Sequence, residues 1–393
     1  MMAKPYEKRI DWLRIYHKYR RSKAKTRSHI LDELCDLTGM NRKYLIRKLN
    51  KKKDGISKRR GAKPIYGPEI YLPIIKPIWL AADQICGKRL KVVLQDWLHF
   101  YEDEYGELEK SIRLRVLQIS SATLDRLLKP IKANYKGRGI CGTKPGSILK
   151  NQIPIKTNQW EETKPGFMEA DTVAHCGTSL EGSFIWSLTM TDILTTWTEN
   201  RAIWNKGSYG VRVAIDDVET SLPFEIKGFD CDNGSEFLNY HIIRKFAERP
   251  EEKAVQFTRS RHYKKNDNAH VEQKNWTHVR QLFGYHRLDR ECLVAMMNDL
   301  YSNEWSLYQN HFIPTMKCVK KVKINSKYRR KFDTPKTPFQ RVLDCQDISE
   351  DKKEVLKKVH QTLNPFELKR IIDKKLRRIF NYVQLNKTPR KKI

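Results

Sequence analysis

Three acids are spaced so that the chain could gather them around divalent cations: Asp171, Asp232 and Glu272. Breaking a phosphodiester requires a nucleophile in line with the leaving oxygen, and neutralisation of the charge that builds on phosphorus. Two divalent cations roughly 3.5–4 Å apart do both, and such hard ions take oxygen ligands, so a site of this kind is written in Asp and Glu. Asp171 lies inside an apolar extended run, Gly-Phe-Met-Glu-Ala-Asp-Thr-Val, where an acid costs stability unless it is paired or metal-bound. Asp232 ends a second extended stretch, Phe-Asp-Cys-Asp-Asn-Gly-Ser-Glu-Phe-Leu, in which Asn233 and Gly234 turn the chain toward a helix. Glu272 stands near the start of a helix in Lys-Lys-Asn-Asp-Asn-Ala-His-Val-Glu-Gln-Lys-Asn-Trp. Two strand acids and one helix acid can meet at a sheet edge. Each alone says little, since a single strand Asp is more often a surface or turn residue and Asp-Asn-Gly is a common turn. Four further acids compete: Glu169 and Asp230 each precede a candidate by two and share its strand face, while Glu236 and Asp267 fit turn and capping roles.

The elements that would position these acids can be read around them. Residues 167–172, 183–191 and 195–203 are short runs rich in Phe, Ile, Thr, Val and Trp, with Gly182 as a turn residue between the first two. Helical spacing follows over 209–219 through Val211, Val213, Ala214 and Val218, then another extended run at 224–229. Helices are expected at 235–248 and 268–283. Three strands followed by alternating helix and strand indicate a mixed sheet with helices packed against it.

Upstream, Ile30, Leu31, Leu34 and Leu37 fall at helical spacing; Gly39 then turns the chain, Asn41 fits an N-cap, and Tyr44, Leu45 and Leu49 give the next helix a buried stripe. Arg42, Lys43, Arg47 and Lys48 point away from that stripe. Two short helices across a Gly turn, the second basic, fit a DNA-binding helix-turn-helix. A second hairpin of this kind is read at Ile112, Val116 and Leu117, then Ser120 as a cap and Leu124, Leu127 and Leu128, with Arg126 and Lys129 outward. The Gly- and Pro-rich stretch 136–165 reads as a linker. Beyond residue 300 the chain is basic: eight of the fifteen residues from 317 to 331 are Lys or Arg, with no acid, which suits phosphate contact. Asn364, Pro365 and Glu367 open an amphipathic helix through Ile371, Ile372, Leu376, Ile379 and Phe380. The expected organisation is multidomain, α and α/β: 1–60 helix-turn-helix, 61–135 second helical DNA-binding region, 136–165 linker, 166–300 catalytic core, 301–393 basic C-terminal region.

At 393 residues, 39% hydrophobic and 10% aromatic, the chain has the material for more than one core. Its 77 Lys and Arg against 46 Asp and Glu give a formal net charge of +31, a self-repulsion best tolerated with a polyanion as partner, and nucleic acid is the obvious one. The first residues carry charges where a signal peptide needs an apolar core, and no run approaches the ~20 apolar residues of a membrane span, so a cytoplasmic location, with association to the nucleoid when DNA-bound, is expected. Eight cysteines lie scattered without CxxC pairs, which supports neither a disulfide framework nor a zinc module; the adjacent His175 and Cys176 would point apart on a strand.

Taken in order, a strand Asp, then Asp-Asn-Gly-x-Glu-Phe 61 residues on, then Asn-Asp-x-Ala-x-Val-Glu-x-x-Asn with its Glu after another 40, resembles the catalytic core of retroviral integrases and bacterial insertion-sequence transposases. This is the DDE superfamily, and the likeness spans roughly residues 160–290. It implies an RNase H-like fold, a mixed five-stranded sheet flanked by helices. It also implies Mg2+ or Mn2+, two ions, with Asp171 bridging both, Asp232 holding one and Glu272 the other. Asn275, one helical turn after Glu272, would contact the DNA end, and Lys264, Lys265 and Lys274 would bind phosphate. The zinc domain of retroviral integrases is missing, which makes the bacterial transposase the closer analogue. By resemblance, water first frees a 3′-hydroxyl at the element's end, and that hydroxyl then attacks target DNA. Partners would be double-stranded DNA, as terminal inverted repeats and as target, and further copies of the chain, since two ends are joined together. Two alternatives stand beside this: a nuclease of the same fold that hydrolyses without joining, and a transposase-derived DNA-binding protein without activity.

Overall fold

The computed structural model describes residues 12–50, 65–132, 164–231, 245–246, 248–259, 269–324 and 327–384. The chain divides into two units, Met1–Ile65 and Tyr66–Ile393.

In the first unit, helices α1 (Trp12–Arg21), α2 (Ala24–Thr38) and α3 (Arg42–Asn50) close over Tyr19, Ile30, Leu31, Leu34, Leu45 and Leu49. Gly39 ends α2 in the left-handed region, at φ 66°, and returns its N–H to the Cys35 carbonyl. The Asn41 side chain accepts the N–H of Lys43 at 2.9 Å and so caps α3 as expected. Two apolar positions do not join this core. Tyr44, one residue and so about 100° around the helix from Leu45, faces outward, as does Leu37 in the last turn of α2.

In the second unit, β1 (Phe167–Ala174), β2 (Ile185–Asp192) and β3 (Thr198–Trp204) form an antiparallel meander, with Gly182 at φ 71° in the first connection. Helix α8 (Ser208–Ser221) then crosses to β4 (Gly228–Cys231), which lies parallel to β1, and β5 (Gln256–Arg259) lies parallel to β4. The order β3-β2-β1-β4-β5 is the mixed five-stranded sheet with flanking helices that defines an RNase H-like core. One face buries Met168, Ala170, Leu188, Met190 and Ile203 against Val211, Ile215 and Val218 of α8. Against the other lies α9 (Ala269–Lys274), which runs on through a π-helical turn (Asn275–Arg280) into α10 (Gln281–Phe283). There His175 meets Phe283 edge-on at 5.6 Å.

Two strands depart from the sequence reading. β3 starts at Thr198 because Asp192 collects the N–H and the hydroxyl of Thr195 at 2.7 Å each, and Thr196 adopts φ 61°, making residues 192–197 a tight turn. The run at 224–229 enters the sheet only at Gly228; Phe224 and Ile226 are buried before it. Gly166, at φ 103°, sits beside that entry, and its carbonyl takes the N–H groups of Lys227 and Gly228. A Cβ there would lie 2.2 Å from the Glu225 carbonyl oxygen, so the approach of the two segments requires glycine. β5 has no counterpart in the sequence reading, and the helix expected at 235–248 lies largely outside the described residues.

The helices upstream of the sheet do not stand apart from those after it. These are α4 (Pro68–Ala81), α5 (Gly87–Tyr105), α6 (Lys110–Gln118) and α7 (Ser121–Lys132), with Ser120 accepting the N–H of Thr123 as the expected cap. They share one core with α11 (Cys292–Leu300), its π-helical continuation Tyr301–Trp305, α12 (Ser306–Phe312) and α15 (Pro365–Gln384). Trp97 meets the rings of Tyr308, Phe312 and Phe366 at 6.4, 6.0 and 5.7 Å. The division read at residues 135 and 300 is therefore crossed by a single apolar interior. The basic run near 317–331 is a hairpin, β6 (Cys318–Ile324) and β7 (Lys327–Phe332), followed by α13 (Pro338–Asp344) and α14 (Glu350–Gln361). Asn364 accepts the N–H of Phe366 at 2.9 Å and starts α15, the amphipathic helix expected at this point. Among the described residues, no helix is long and apolar enough to cross a membrane.

Candidate active site

β1 turns alternate residues to opposite faces, so Glu169 and Asp171 leave the α8 side and meet α9. Each fastens one end of that helix. Glu169 Oε2 accepts the backbone N–H groups of His270 and Val271 at 3.0 and 2.9 Å, satisfying donors that the first turn of a helix leaves free. Asp171 Oδ2 accepts the side-chain N–H of Asn275 at 2.7 Å, and its Oδ1 accepts the N–H of Thr172 at 2.7 Å. Glu272 lies between these two fastenings, in the first turn of α9, and is open to solvent. The helix that carries the third acid is thus set by the strand that carries the first.

The acids crowd one another. In the parallel register Glu169 stands beside Asp230, and both are buried. Burial pushes the Glu169 carboxyl up to about 8; the negative charges of Asp230 and Glu272 add to the rise, and the two backbone N–H groups oppose it. Asp171 is half-buried, with Asn275 on Oδ2 and Thr172 on Oδ1.

Other acids in the sheet are spoken for. Asp192 accepts from Gly166 and twice from Thr195, and Glu199 accepts from Trp197, Arg201 and Ser306. Asp232, Asn233, Gly234, Glu236, Lys264, Lys265 and Asp267 lie outside the described residues. Among the described residues, no three His, Cys, Asp or Glu side chains stand close enough to hold a metal ion.

The basic candidates divide. Lys274, expected at phosphate, is buried instead, with Nζ donating to the Thr196 carbonyl at 3.2 Å. Its position on the sheet-facing side of α9 withdraws it from solvent, and burial, with Arg89 and Arg341 nearby, pulls its ammonium down to about 7. Asn275 bonds Asp171 rather than standing free. In the first unit Lys43 and Arg47 are exposed, whereas Arg42 bonds Asp32 and Ser28, and Lys48 lies 3.2 Å above the Trp12 ring. The sequence presents Glu169 only as a rival ligand. An acid in an apolar strand needs donors, and the unpaired N–H groups at a helix start are donors in want of an acceptor; that pairing is the signal that could have found its role.

No family model matches the chain. Among solved structures, the catalytic core domain of BIV integrase is similar at 15% identity and TM-score 0.29, over 46% of this chain and 94% of that one. The HTLV-2 integrase catalytic core domain in complex with magnesium is similar at 14% identity and TM-score 0.27, over 38% of this chain and 90% of that one. A protein of Sinorhizobium fredii (strain NBRC 101917 / NGR234), described as uncharacterized protein y4rM, is 35% identical over 330 residues, which are 83% of this chain and 92% of the relative. Agreement at that level over nearly the whole of both sequences makes this chain a member of the y4rM family.

Proposed function

We propose that this chain is a DNA transposase or integrase of the DDE type, which cleaves the ends of a DNA element and joins them to target DNA. The observation that carries the reading is the double fastening of α9 to β1, because it brings Asp171 and the helix of Glu272 together on one face of an RNase H-like sheet, over its central strand. The parallel register pairs Glu169 with Asp230 and Ala170 with Cys231, so the strand that precedes Asp232 in the sequence lies beside the strand of Asp171. The order of the three acids and the spacing between them support the same reading.

The donor set fits divalent magnesium or manganese. It is all oxygen, and the charges of Asp230 and Glu272, which add to the rise that burial imposes on the Glu169 carboxyl, mark a place where negative charge accumulates. Asp171, Asp232 and Glu272 would hold the ions. Ions bound there would supply activation of the attacking oxygen and stabilisation of charge on phosphorus. The protein's own part is positioning: Asn275 orients Asp171, Glu169 sets the start of α9, and the central strand holds both carboxylates on the face that α9 covers. The three-helix first unit, with Lys43 and Arg47 exposed, would read the terminal inverted repeats. Joining two ends calls for more than one copy of the chain, acting on DNA in the cytoplasm.

The test is a pair of assays on duplexes carrying the sequences that flank its gene. Wild type should nick them only with Mg2+ or Mn2+ and should join a pre-cleaved end to a second duplex. Asp171→Asn should lose both activities and keep DNA binding. Nicking without joining would make the chain a nuclease; nicking retained by Asp171→Asn would show that the site lies elsewhere.

A further inference from the structure

Among the described residues, β6 and β7 pair only with each other. Side chains alternate across such a ribbon, so Val322, Ile324, Lys320, Arg329 and Lys331 share one face, and Lys323, Tyr328, Arg330 and Phe332 the other. Val322 and Ile324 are 41% and 43% exposed, and Tyr328 and Phe332 are 44% and 42%, so neither face is packed on a core. A bare two-stranded ribbon is marginal in water. This one carries a further cost: Lys320 and Lys331 stand directly opposite, and no acid occurs between residues 317 and 332 to relieve them.

Its base, by contrast, is firmly held. Thr315 and Lys336 exchange backbone hydrogen bonds of 2.8 and 3.2 Å beneath the hairpin, and Arg341 grips Asp333 at 2.8 Å. Lys317 Nζ donates to the Leu194 carbonyl at 3.0 Å, and the Thr315 hydroxyl meets that of Thr196 at 2.8 Å, so the ribbon is rooted on the β2–β3 turn. That turn also receives Lys274 of α9. The ribbon and the helix carrying Glu272 are therefore seated on the same six-residue turn, 192–197.

We propose that the β6–β7 ribbon is a DNA-backbone clamp, with Lys320, Lys323, Arg329, Arg330 and Lys331 on the phosphates of a duplex that continues into the candidate active site. This rests on the reading of the chain as a DNA-joining enzyme. A two-stranded ribbon has the dimensions that the major groove admits, and phosphate contacts of this kind fix orientation without reading sequence. A polyanion also removes the repulsion that the free ribbon bears. An anionic membrane is the poorer partner. Membrane-surface elements separate an apolar from a charged face, whereas here Val322 and Ile324 share a face with Lys320 and Arg329, and Tyr328 and Phe332 share one with Lys323 and Arg330.

The experiment compares full-length wild type with the triple variant Lys320→Gln, Arg329→Gln, Lys331→Gln, by fluorescence anisotropy on a duplex of arbitrary sequence across a salt series. The slope of log affinity against log salt should become shallower by about 0.9 for each phosphate the variant no longer neutralises, and the drop in affinity should be the same for every duplex sequence. Free of DNA, the variant should melt no lower than wild type, because the Lys320–Lys331 repulsion is gone; a lower melt would contradict the repulsion, and Lys331→Gln alone then repeats the slope measurement at a single phosphate. An unchanged slope overturns the clamp while leaving the enzymatic reading intact. Absence of duplex binding by wild type would overturn both. Loss of binding to anionic phosphatidylserine vesicles, with DNA binding unchanged, would move the ribbon to a membrane and also overturn the proposal.

Discussion

Asn275 donates its side-chain amide to Oδ2 of Asp171 at 2.7 Å, from a helix that begins about a hundred residues after the strand it touches. The bond falls where α9 passes into a π-helical turn, a local widening of the helix that is frequent at functional sites. It gives Asn275 a role distinct from contact with DNA, and the two roles have different consequences on mutation. As a positioning residue, Asn275→Ala should lower the rate of metal-dependent cleavage by about ten- to a hundred-fold, the usual cost of losing a partner that orients a ligand. DNA affinity should stay unchanged. Asn275→Asp, which replaces a donor by a second carboxylate, should fall further. Single-turnover rates and anisotropy titrations on the same proteins check this; parallel losses in rate and affinity would return Asn275 to the DNA.

Glu169 makes the complementary bond at the other end of α9, and what it supplies is an acceptor, not a charge. Its carboxyl, lifted to about 8 chiefly by burial, is largely protonated at neutral pH. Because the folded value is the higher one, its contribution to stability is complete below the ordinary value of 4.5, declines as pH rises and is lost through about 8. Glu169→Gln keeps an acceptor oxygen for His270 and Val271 and should flatten that decline in urea midpoints measured between about pH 5 and 9. Activity should largely survive in Glu169→Gln and collapse in Glu169→Ala, which leaves two N–H groups without a partner. Equal activity in both variants would sink this assignment.

How far the site can be read from the sequence follows from the range over which each signal acts. Asp171 is legible because an acid among apolar strand residues is conspicuous, and Gly39, Asn41 and Asn364 because caps are local chemistry. Glu169 is visible as an acid but not as a brace, since its partners are two N–H groups about a hundred residues away. Lys274 is misplaced by the sequence reading for a similar reason: helical periodicity in so short a helix does not say which side meets the sheet. β5 has only four residues and takes its place by pairing with β4, so it carries little pattern of its own. The single core through α5, α12 and α15 joins segments whose apolar stripes are each compatible with separate domains; only their mutual packing decides.

His311 makes the fold sensitive to acid away from the site. It is buried among Phe339, Trp197 and His360, with its Nδ1 3.3 Å from that of His360. Burial first, and the neighbouring His360 second, pull its imidazole down to about 3. A base with a lowered folded value loses stability as pH falls, here from the ordinary 6.5 toward 3. The loss should reach about 2 kcal/mol between about pH 6.5 and pH 5 at ~1.4 kcal/mol per unit. His311→Phe keeps an aromatic ring in that place and should show a shallower acid limb in denaturant midpoints. An identical limb in the variant would put the acid sensitivity elsewhere.

Among the described residues β3 ends the sheet, and two asparagines stand where a further strand would pair. Asn298 accepts the N–H of Ala202 at 2.6 Å and donates to its carbonyl at 3.0 Å; Asn310 does the same for Thr198, at 2.9 and 3.0 Å. Each amide has the donor and acceptor of a peptide group, so each satisfies one residue of an edge that would otherwise invite another chain. Their surroundings differ. Asn310 is wholly buried and also bonds Ser306 and Glu199, whereas Asn298 lines an open cleft of about 670 Å³ together with Trp204, Val213 and Asn303. Replacement by Ala should therefore cost more stability at Asn310, where water cannot enter; the expected scale is about 1–3 kcal/mol for each group left unpaired. Asn298→Ala should cost less but expose strand backbone to solvent, and sedimentation velocity should detect self-association in that variant. The two residues they cap are about 13 Å apart along the strand, so the double variant should lose close to the sum of the two. Greater loss at Asn298, or an Asn298→Ala protein that sediments as wild type does at every concentration, would show that the edge is guarded by something other than these amides.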